Sequence, residues 1–529
     1  MPLQPAPTRP PPKHPQPKRI VIFADGTGNA FTTQESNVWR LYLALDKTGA
    51  AGIPQIARYI PGVGTSSRTL IRVLDGITGY GVPANVRHLY RFLCMNWDPG
   101  DEIFLFGFSR GAFTVRTLAG MIRMQGLMPR ILDGAPITEG DMNRAVMAAW
   151  YAYRSETAPV WKDGVGLCMN PLIGAVRALR DGGIRIKRGL LRQRPHADVQ
   201  AQQPANHAPD TVKVRLMGLF DTVEAYGVPF EELRNLINWW VWPIVFRNRQ
   251  CSPVVQDVAH ALSLDDARLT FHPVRFDMTS RKDQLRNPTV QEVWFAGVHS
   301  DVGGGYPDDA CAMAPLGWMA GQASAAGLVF DTMALDAFAR RRFDAAPIHD
   351  SRARLGSLYR FAPRLNLMAE GTRDAPMIHP SVMAKLATGV DGYAPLNLPP
   401  DMQVAGESAH AMAYDNRSEP RLLQLIDWRR GTNWTAILCI TGLVFLALTP
   451  LWQVRAVPAD PDWLMALKTI AGTAGPSWIG RIWQGWQTHW ETTAVLVMLI
   501  LVAHLVNQGL ATAIRDTARR IWHSPGPAG

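Results

Sequence analysis

The sequence predicts an α/β fold in which a mostly parallel sheet is flanked by helices and is followed by a C-terminal transmembrane helical hairpin. Three observations support this prediction. Several short apolar runs end in small-residue turns, helical patterns separate these runs, and two long charge-free segments lie near the C-terminus. Strands that are apolar on both faces are typical of parallel sheets covered by helices on both sides.

Four apolar runs are predicted as strands of this sheet. They are "RIVIFADGTGN" (19–29), "EIFLFGFSRG" (102–111), "VKVRLMGLFDTV" (212–223) and "EVWFAGVHSDVGGGY" (292–306). Amphipathic patterns such as "NVWRLYLAL" and "NVRHLYRFLCMNW" are typical of the helices that connect parallel strands. We therefore expect one large domain over residues 18–425.

Two segments depart from this regular pattern. Residues 1–17 are rich in proline and poor in apolar side chains, which predicts a disordered tail. Residues 196–210 are polar and rich in alanine, glutamine and proline, which predicts a flexible insertion on the surface. The N-terminus lacks the apolar core of a cleaved secretory signal, so we expect the large domain to fold in the cytoplasm of the producing cell.

The composition indicates contact with lipid rather than with nucleic acid. Hydrophobic residues make up 47% of the chain, charged residues only 19%, and there are 18 tryptophans. The net charge of +10 would suit an anionic membrane or a nucleic acid. The basic residues concentrate in 177–194 and beside the two C-terminal apolar segments, however, and no nucleic-acid-binding module is recognisable. The five cysteines are scattered, which argues against a disulfide framework and a zinc site.

The two charge-free segments are predicted as transmembrane helices. Residues 434–452 and 492–514 would each form a helix of about 30 Å, the thickness of a bilayer core. A Trp-rich loop, 453–491, would lie along the far membrane face, and a basic tail, 515–529, would follow the second helix. Arginines flank the outer ends of the pair, so the positive-inside rule places the large domain and the C-terminus in the cytoplasm. Two buried core helices are the alternative.

The motif Gly107-Phe108-Ser109-Arg110-Gly111 fits the pattern G-x-S-x-G between a predicted strand and a predicted helix. In that context the glycines permit a turn too tight for side chains on either flank, and the turn presents the serine hydroxyl. The N-terminus of the helix then points at any oxyanion formed there. Ser109 is therefore the predicted nucleophile, and an ordinary Gly-Ser turn is the alternative.

A serine nucleophile needs a base, and the base needs an acid that orients it. Asp221 ends the third predicted strand and His299 ends the fourth, which gives the order Ser, Asp, His found in α/β-hydrolases. Asp301 is an alternative acid. Asp221 as a turn residue and His299 as a buried core histidine are the structural alternatives. A further alternative is a metal cluster formed by Asp25, Asp221, His299 and Asp301, although no ligand spacing supports it.

The oxyanion hole is expected to take one donor from the backbone N–H of Arg110. The second donor would come from the loop "ADGTGN", with Gly26 or Thr27 donating. The apolar stretch "LINWWVWPIVF" (236–246), within 230–250, is too short to span a bilayer and is predicted as a lid or interfacial element. Burial against the sheet is the alternative. We expect no cofactor and no bound metal.

Six ordered blocks of the sequence resemble a bacterial α/β-hydrolase family, long called a domain of unknown function, that includes the first family of type VI secretion lipase effectors. The blocks are "FADGTGN", "YIPGVGT", "DEIFLFGFSRGAFTVRTLAGMI", "GLFDTVEAYGVP", "LSLDDARLTFHPV" and "VWFAGVHSDVGGGYP". The resemblance implies an α/β-hydrolase-like fold and a serine phospholipase whose triad is Ser109, Asp221 and His299. Phe220 stands where the family often has tryptophan, and the C-terminal hairpin is not a constant feature of the family.

The resemblance and the apolar segments together predict a membrane-anchored serine hydrolase that cleaves carboxylic esters of lipids as a phospholipase A. The expected location is the bacterial inner membrane with the catalytic domain in the cytoplasm. Family members that act as antibacterial effectors imply delivery into target cells, an immunity partner and a secretion-apparatus partner. The expected partners include a phospholipid membrane and no nucleic acid. The alternatives are a non-enzymatic membrane-binding or permeabilising protein and a tethered esterase or thioesterase acting on soluble substrates.

Overall fold

The structure is a computed structural model that describes most of the large domain and both C-terminal apolar segments. The described residues are 17–26, 35–48, 52–62, 81–157, 182–183, 195–223, 250–277, 289–339, 346–353, 356–357, 359–365, 375–398, 402–406, 416–453, 483 and 485–523. Nearly all of the predicted Pro-rich tail, the 230–250 element and much of the Trp-rich loop lie outside these ranges, so the predictions for them stay predictions.

In the described part of the chain, eight strands form one sheet, and all the pairings between them are parallel. Its order is β10-β9-β8-β7-β6-β3-β1-β2, while β4 and β5 form a separate antiparallel pair. In chain order the strands are β1 (Arg19–Ala24), β2 (Gln55–Ile60), β3 (Glu102–Phe108), β4 (Ile131–Leu132), β5 (Ala135–Pro136), β6 (Val214–Phe220), β7 (Val255–Ser263), β8 (Thr289–Phe295), β9 (Met377–Ile378) and β10 (Gln403–Val404).

The central strands are buried on both faces, as their apolar sequences predict. In β3, Ile103 and Leu105 pack into the core on one side of the sheet, while Phe104 and Phe106 pack into the core on the other. Each face of the sheet therefore needs a covering layer of helices.

Helices supply both covering layers. They are α1 (Asn37–Ala44), α2 (Gly81–Asn96), α3 (Arg110–Gln125), α4 (Glu139–Thr157), α5 (His196–Gln200), α6 (His299–Gly303), α7 (Met313–Ala325), α8 (Thr332–Ala339), α9 (Pro380–Thr388), α10 (Glu419–Gln453) and α11 (Trp490–His523). Helices α2, α3 and α4 cover one face, and α1, α7 and α8 cover the other. This three-layer arrangement confirms the predicted fold class.

The segment 196–210, predicted as a flexible insertion, has regular structure in part. It contains α5 and a 3₁₀ turn at Ala205–His207. Gln203 Nε2 donates to the carbonyl oxygens of Gln125 and Leu127, at 2.8 and 2.9 Å. The first bond satisfies the carbonyl group of the last residue of α3, which a helix leaves unpaired, and the second lies two residues beyond the helix. The mobility of the segment stays a prediction.

The two long helices α10 and α11 contain the predicted membrane segments and pack antiparallel. Arg429 Nε donates to Asn507 Oδ1 at 2.8 Å, and Trp486 Nε1 donates to the Leu443 carbonyl at 2.9 Å further along. Both helices are long and apolar enough to cross a bilayer, with mean hydropathies of 1.7 and 2.1 in their most apolar windows. Only 22% and 6% of those windows are buried, so most of this apolar surface lies on the outside of the described protein.

The observed helices are longer than the predicted spans 434–452 and 492–514, and both extend into the large domain. Ile426 of α10 and Ile514 of α11 join a third apolar core beside Trp294 of β8. The end predicted for the large domain therefore falls inside α10. The helix pair is therefore held to the large domain by side-chain packing as well as by the covalent connection.

Gly111→Ala is expected to destabilise the protein by about 3 kcal/mol or more, because an added methyl group has no space. A Cβ on Gly111 would lie 2.0 Å from the carbonyl oxygen of Ala24, where α3 crosses β1. Gly317→Ala is the matched control: it lies in α7, has no atom within 4 Å of an added Cβ, and should stabilise that helix by up to about 1 kcal/mol. Thermal unfolding in detergent micelles compares the two variants. An unchanged unfolding midpoint for Gly111→Ala would contradict this packing.

Candidate active site

Ser109 lies at the C-terminal end of β3, at the sharp turn into α3. Its backbone φ is 57°, a left-handed value that residues other than glycine seldom adopt. A Cβ on Gly107 would lie 2.6 Å from the Ala112 backbone, and Gly111 is packed even more closely against β1. Both glycines of the G-x-S-x-G motif are therefore required by the turn.

His299 begins α6, just beyond the end of β8. Its Nε2 lies 2.8 Å from Ser109 Oγ, and its Nδ1 lies 2.6 Å from Asp221 Oδ2. The imidazole ring contacts the rings of Phe108 and Phe271, with centroid separations of 4.8 and 5.1 Å. The fold thus brings together all three predicted side chains, although Ser109 and His299 are 190 residues apart in the sequence.

Asp221 follows β6 directly and is fully buried among hydrogen-bond donors. Arg364 donates from Nη1 to Oδ1 at 2.8 Å and from Nη2 to Oδ2 at 3.0 Å. The N–H and the hydroxyl of Ser263 each donate at 3.0 Å. Burial by itself would raise the pKa of Asp221, but the charge of Arg364 and the hydrogen bonds from His299 and Arg364 outweigh it and hold that pKa well below its usual value. Asp221 is therefore an anion.

The tautomer of a neutral His299 ring follows from its two partners. An ionised carboxylate only accepts hydrogen bonds, so the Nδ1 atom beside Asp221 carries the proton and donates it. Nε2 is then the acceptor, and the Ser109 hydroxyl donates to it. In a hydrogen-bonded series of this kind, the imidazole can take the proton of the serine hydroxyl while the serine oxygen attacks an electrophile.

A second buried cluster fixes the backbone next to Asp221. The Thr222 N–H donates to His260 Nε2 at 3.2 Å, so His260 is neutral and its Nδ1 donates to Glu292 Oε1 at 3.0 Å. Arg275 Nε donates to the other Glu292 oxygen at 2.8 Å. Burial would raise the pKa of Glu292, but His260 and Arg275 bring it down to about 2. Since Asp221 has a φ of 38°, the cluster holds a strained turn in place.

Two of the three predicted oxyanion donors, Arg110 and Gly26, lie beside Ser109. Arg110 supplies the first N–H of α3, at the positive end of the helix dipole. Gly26 is adjacent, since a Cβ there would lie 3.3 Å from Ser109 Cβ. The Gly26 N–H, however, donates to Asp25 Oδ1 at 2.7 Å, so it would have to exchange this partner to bind an oxyanion. Thr27 lies outside the described residues.

Asp25 organises the end of β1. Its Oδ2 accepts hydrogen bonds from the hydroxyl groups of Ser36 and Tyr59, each at 2.6 Å. Burial and the charge of Asp25 raise the pKa of Tyr59, so the phenol keeps its proton and donates. Asp25 thereby joins the end of β1 to the start of α1 and to β2.

Asp301, the alternative acid, pairs with His349 and not with His299. Its Oδ1 accepts from His349 Nδ1 at 2.6 Å, and its Oδ2 accepts the N–H of Val298 at 3.0 Å. Tyr306 stacks on the His349 ring with 3.8 Å between centroids. Asp301 therefore caps the start of α6 and binds the backbone and side chain of His349, while Asp221 occupies the position that orients His299.

The metal cluster considered as an alternative is not assembled from its four residues. Asp221 and His299 pair with each other, while Asp25 and Asp301 have the separate partners described above. Within the described ranges, no group of three His, Cys, Asp or Glu side chains is arranged to hold a metal ion.

Three residues of the site were not predicted from the sequence: Ser263, Asp266 and Arg364. Asp266 Oδ2 accepts the His299 N–H at 3.2 Å and pairs with Arg268 at 2.6 Å. Ser263 and Asp266 lie in the block "LSLDDARLTFHPV", so the resemblance offered a signal for them. Arg364 is 143 residues from the acid that it contacts, in a stretch without a recognisable pattern, and the sequence offered no signal for it.

Arg364→Met is expected to destabilise the protein by about 3 to 5 kcal/mol near pH 7, because it leaves the buried Asp221 carboxylate without its cation. This deficit should shrink as the pH falls from 7 towards 4. In the parent protein the folded-state pKa of Asp221 is depressed, so its stabilising effect is complete throughout this range and is lost only as the pH falls below the pKa of an unfolded aspartate, about 4. In the variant, burial raises that pKa, and protonation then relieves the unpaired charge.

Thermal unfolding across this pH range measures the difference between the parent and the variant. Arg215→Met is the control, since it removes a partly exposed pair with Asp257 on the same sheet and should cost less than about 1 kcal/mol. A deficit for Arg364→Met that is small, or that does not vary with pH, would contradict an ionised Asp221.

A match to a protein-family model supports the resemblance seen in the sequence. Residues 18–322 match the family model described as "T6SS, Phospholipase effector Tle1-like, catalytic domain". An uncharacterized protein of Saccharomyces cerevisiae, YEL023C, is 27% identical over 273 residues, which is 49% of this chain and 33% of the yeast protein. This chain therefore spans about a third of the length of that relative. A crystal structure of an uncharacterized protein from Pseudomonas aeruginosa aligns with 59% of this chain and 46% of its own, at 17% identity and a TM-score of 0.28.

The family match covers more than half of the chain and includes Ser109, Asp221 and His299. It ends within α7, so Arg364 and the two C-terminal helices lie beyond it. The chain belongs to the Tle1-like family of type VI secretion phospholipase effectors, and its residues 18–322 match the catalytic domain of that family.

Proposed function

We propose that the protein is a membrane-anchored serine hydrolase that cleaves a carboxylic ester of glycerophospholipids, as a phospholipase A. The observation that carries this proposal is the hydrogen-bonded chain from Ser109 through His299 to Asp221. Membership of a phospholipase effector family supports a lipid substrate. The two exposed apolar helices support a membrane surface as the place of action.

In the proposed reaction the Ser109 oxygen attacks the ester carbonyl carbon while its proton moves to His299 Nε2. Asp221 stabilises the imidazolium that forms and does not take up the proton. The Arg110 N–H and the dipole of α3 stabilise the oxyanion, with the Gly26 N–H as the second donor once it releases its carboxylate partner. The tetrahedral species collapses as His299 returns the proton to the leaving lysophospholipid hydroxyl. Water, activated by His299, then hydrolyses the acyl-enzyme and releases the fatty acid.

Arg364 has a defined part in this proposal. The acid must remain an anion in a site that excludes water, where burial favours the neutral form. The bidentate contact from the Arg364 guanidinium opposes the effect of burial on the Asp221 pKa and also fixes the plane of the carboxylate. A neutral Asp221 would still contact His299, but it would not stabilise the imidazolium.

We further propose that α10 and α11 cross the bilayer and hold the large domain at its surface. Leu438, Leu501 and Leu505 on these helices are 62%, 59% and 66% exposed, and transfer into lipid would remove such side chains from water. The ends of the pair nearest the large domain carry six arginines, which by the positive-inside rule indicates the cytoplasmic side of a bacterial inner membrane. These are Arg421, Arg429, Arg430, Arg515, Arg519 and Arg520.

The remaining parts of the proposal are supported by the family and the sequence pattern. Family membership supports delivery into target cells and an immunity partner in the producing cell. The division into a catalytic domain over 18–425, with a lid at 230–250, follows from the sequence pattern, and nearly all of the lid lies outside the described residues.

Ser109→Ala is expected to lower the hydrolysis of bacterial phospholipids by several orders of magnitude, up to about 10⁶-fold, because the nucleophile is lost. Mass spectrometry of the products from a bacterial lipid extract measures turnover and identifies the acyl position that is cut. Ser155→Ala, on the exposed surface of α4, is the matched control and should keep full activity. A fluorophosphonate probe should label the parent and the control but not Ser109→Ala.

Equal lipid turnover by Ser109→Ala and the parent would overturn the proposed function. Turnover of short soluble esters with none on vesicles would indicate the tethered esterase instead. Toxicity without lipid turnover, unaffected by Ser109→Ala, would indicate the membrane-permeabilising protein.

Val502→Arg is expected to weaken membrane association, because it places a charge near the middle of the predicted span 492–514 at a cost of about 2.5 to 3.5 kcal/mol. Val502 is 50% exposed on α11, so the arginine would face lipid. Met333→Arg is the control, since Met333 is 80% exposed on α8 of the large domain. Alkaline extraction and sedimentation measure the membrane-bound fraction. A Val502→Arg protein that sediments with membranes as fully as the control would contradict the proposed insertion.

A further inference from the structure

A short segment, 359–365, connects the first C-terminal helix with the carboxylate of Asp221. Near its start, the Phe361 N–H donates to Asn433 Oδ1 of α10 at 2.8 Å. Three residues later, Arg364 makes its two contacts with Asp221. The Cα atoms of Phe361 and Arg364 are at most about 11 Å apart even in a fully extended chain, so only two residues lie between the contact with α10 and the arginine.

Several contacts from α10 hold the Phe361 end of this segment. Phe361 and Asn433 are both buried, at 3% and 4% exposure. The Arg429 guanidinium lies 4.2 Å from the centroid of the Phe361 ring, and the Arg360 guanidinium lies 3.7 Å from the centroid of the Trp434 ring. One backbone donor, two aromatic rings and two cations therefore join the segment to α10.

The Arg364 end is held equally closely by the catalytic domain. The guanidinium donates to the carbonyl oxygens of Ser263 and Phe271, each at 2.5 Å, in addition to Asp221. Asn397 Nδ2 donates to the Arg364 carbonyl at 3.2 Å. Arg364 is 1% exposed, so closely packed surroundings leave its side chain little free space in which to compensate for a displacement of its backbone.

We propose that Asn433 is a positioning residue for the hydrolase, acting through the 359–365 segment on Arg364 and so on the Asp221 carboxylate. This inference rests on the proposed function and goes beyond it, because it makes the first membrane helix part of the catalytic framework as well as an anchor. Removing the Asn433 acceptor would leave the buried Phe361 N–H without its partner. The backbone would then move to recover a hydrogen bond, and displacements below about 1 Å in supporting residues lower turnover measurably.

The test compares two replacements of Asn433 in the full-length protein. Asn433→Leu keeps the approximate size but removes the acceptor, while Asn433→Asp keeps an oxygen that can accept the Phe361 N–H. Thr435→Ala is the matched control, because Thr435 lies half a turn further along α10, is exposed, and donates its hydroxyl to the Gly431 carbonyl of the same helix. Hydrolysis of a short water-soluble ester in detergent micelles removes any dependence on membrane insertion.

Asn433→Leu is expected to lower kcat about tenfold with little change in KM, since substrate contacts are not altered. Asn433→Asp should stay within about twofold of the parent, and so should Thr435→Ala. The same replacements are then made with Arg364→Gln. If Asn433 acts through Arg364, Asn433→Leu should change kcat by less than about twofold in that background, because contacts in one network are not additive.

The rate of Ser109 labelling by a fluorophosphonate provides a second readout where Arg364→Gln turns over too slowly to measure. Arg364→Lys, which keeps a positive charge, is the second background should Arg364→Gln not fold. An equal effect of Asn433→Leu with and without Arg364 would overturn the inference, as would parent-like kcat in Asn433→Leu. A parent protein without Ser109-dependent turnover or labelling would instead overturn the proposed function, on which this inference rests.

Discussion

The buried carboxylate of Asp221 is the constraint on which the rest of the site depends. A carboxylate removed from water must be surrounded by donors, because an unpaired buried charge is far more costly than any single contact is stabilising. Its donors come from three separate parts of the chain: His299 after β8, Ser263 at the end of β7, and Arg364 beyond both. The parallel order β6-β7-β8 places the first two beside Asp221, since neighbouring strands end at the same edge of the sheet.

The same edge stores backbone strain at two positions. Ser109 and Asp221 each follow a central strand directly, and both have positive φ values. Strain of this kind persists only where the surroundings leave no alternative. At Ser109 this is achieved by Gly107 and Gly111, which let α3 pack directly on the strands; at Asp221 it is achieved by the neighbouring Thr222 and the cluster that binds its N–H. Close glycine packing at Ser109 and the polar cluster beside Asp221 thus allow the two positions to keep their unusual backbone geometry.

The sequence predicted what local patterns encode and missed what long-range contacts decide. Apolar runs identified β1, β3, β6 and β8, because continuous burial on both faces leaves a signal in each strand. The two-residue strands β9 and β10 left no such signal in the sequence, since they are defined only by the strands with which they pair. Ser109 was predicted from its motif, and Asp221 and His299 from their positions at strand ends. The choice between Asp221 and Asp301 as the acid needed the position of the His299 side chain in the fold. Arg364 could not be predicted from the sequence, because no local pattern marks an arginine as the partner of an acid 143 residues away.

The C-terminal helices were predicted as an appendage, and the structure shows why that description is incomplete. An anchor on a flexible linker would leave the catalytic domain free to turn at the membrane surface. Here the domain-proximal turns of both helices share an apolar core with β8, β9 and α9, and Trp522 of α11 donates to the Pro395 carbonyl at 2.9 Å. Separating the helices from the domain would therefore expose apolar side chains and unpair buried polar groups on both sides. Where the helices lie in a bilayer, that shared core fixes the angle at which the sheet edge carrying Ser109 meets the lipid.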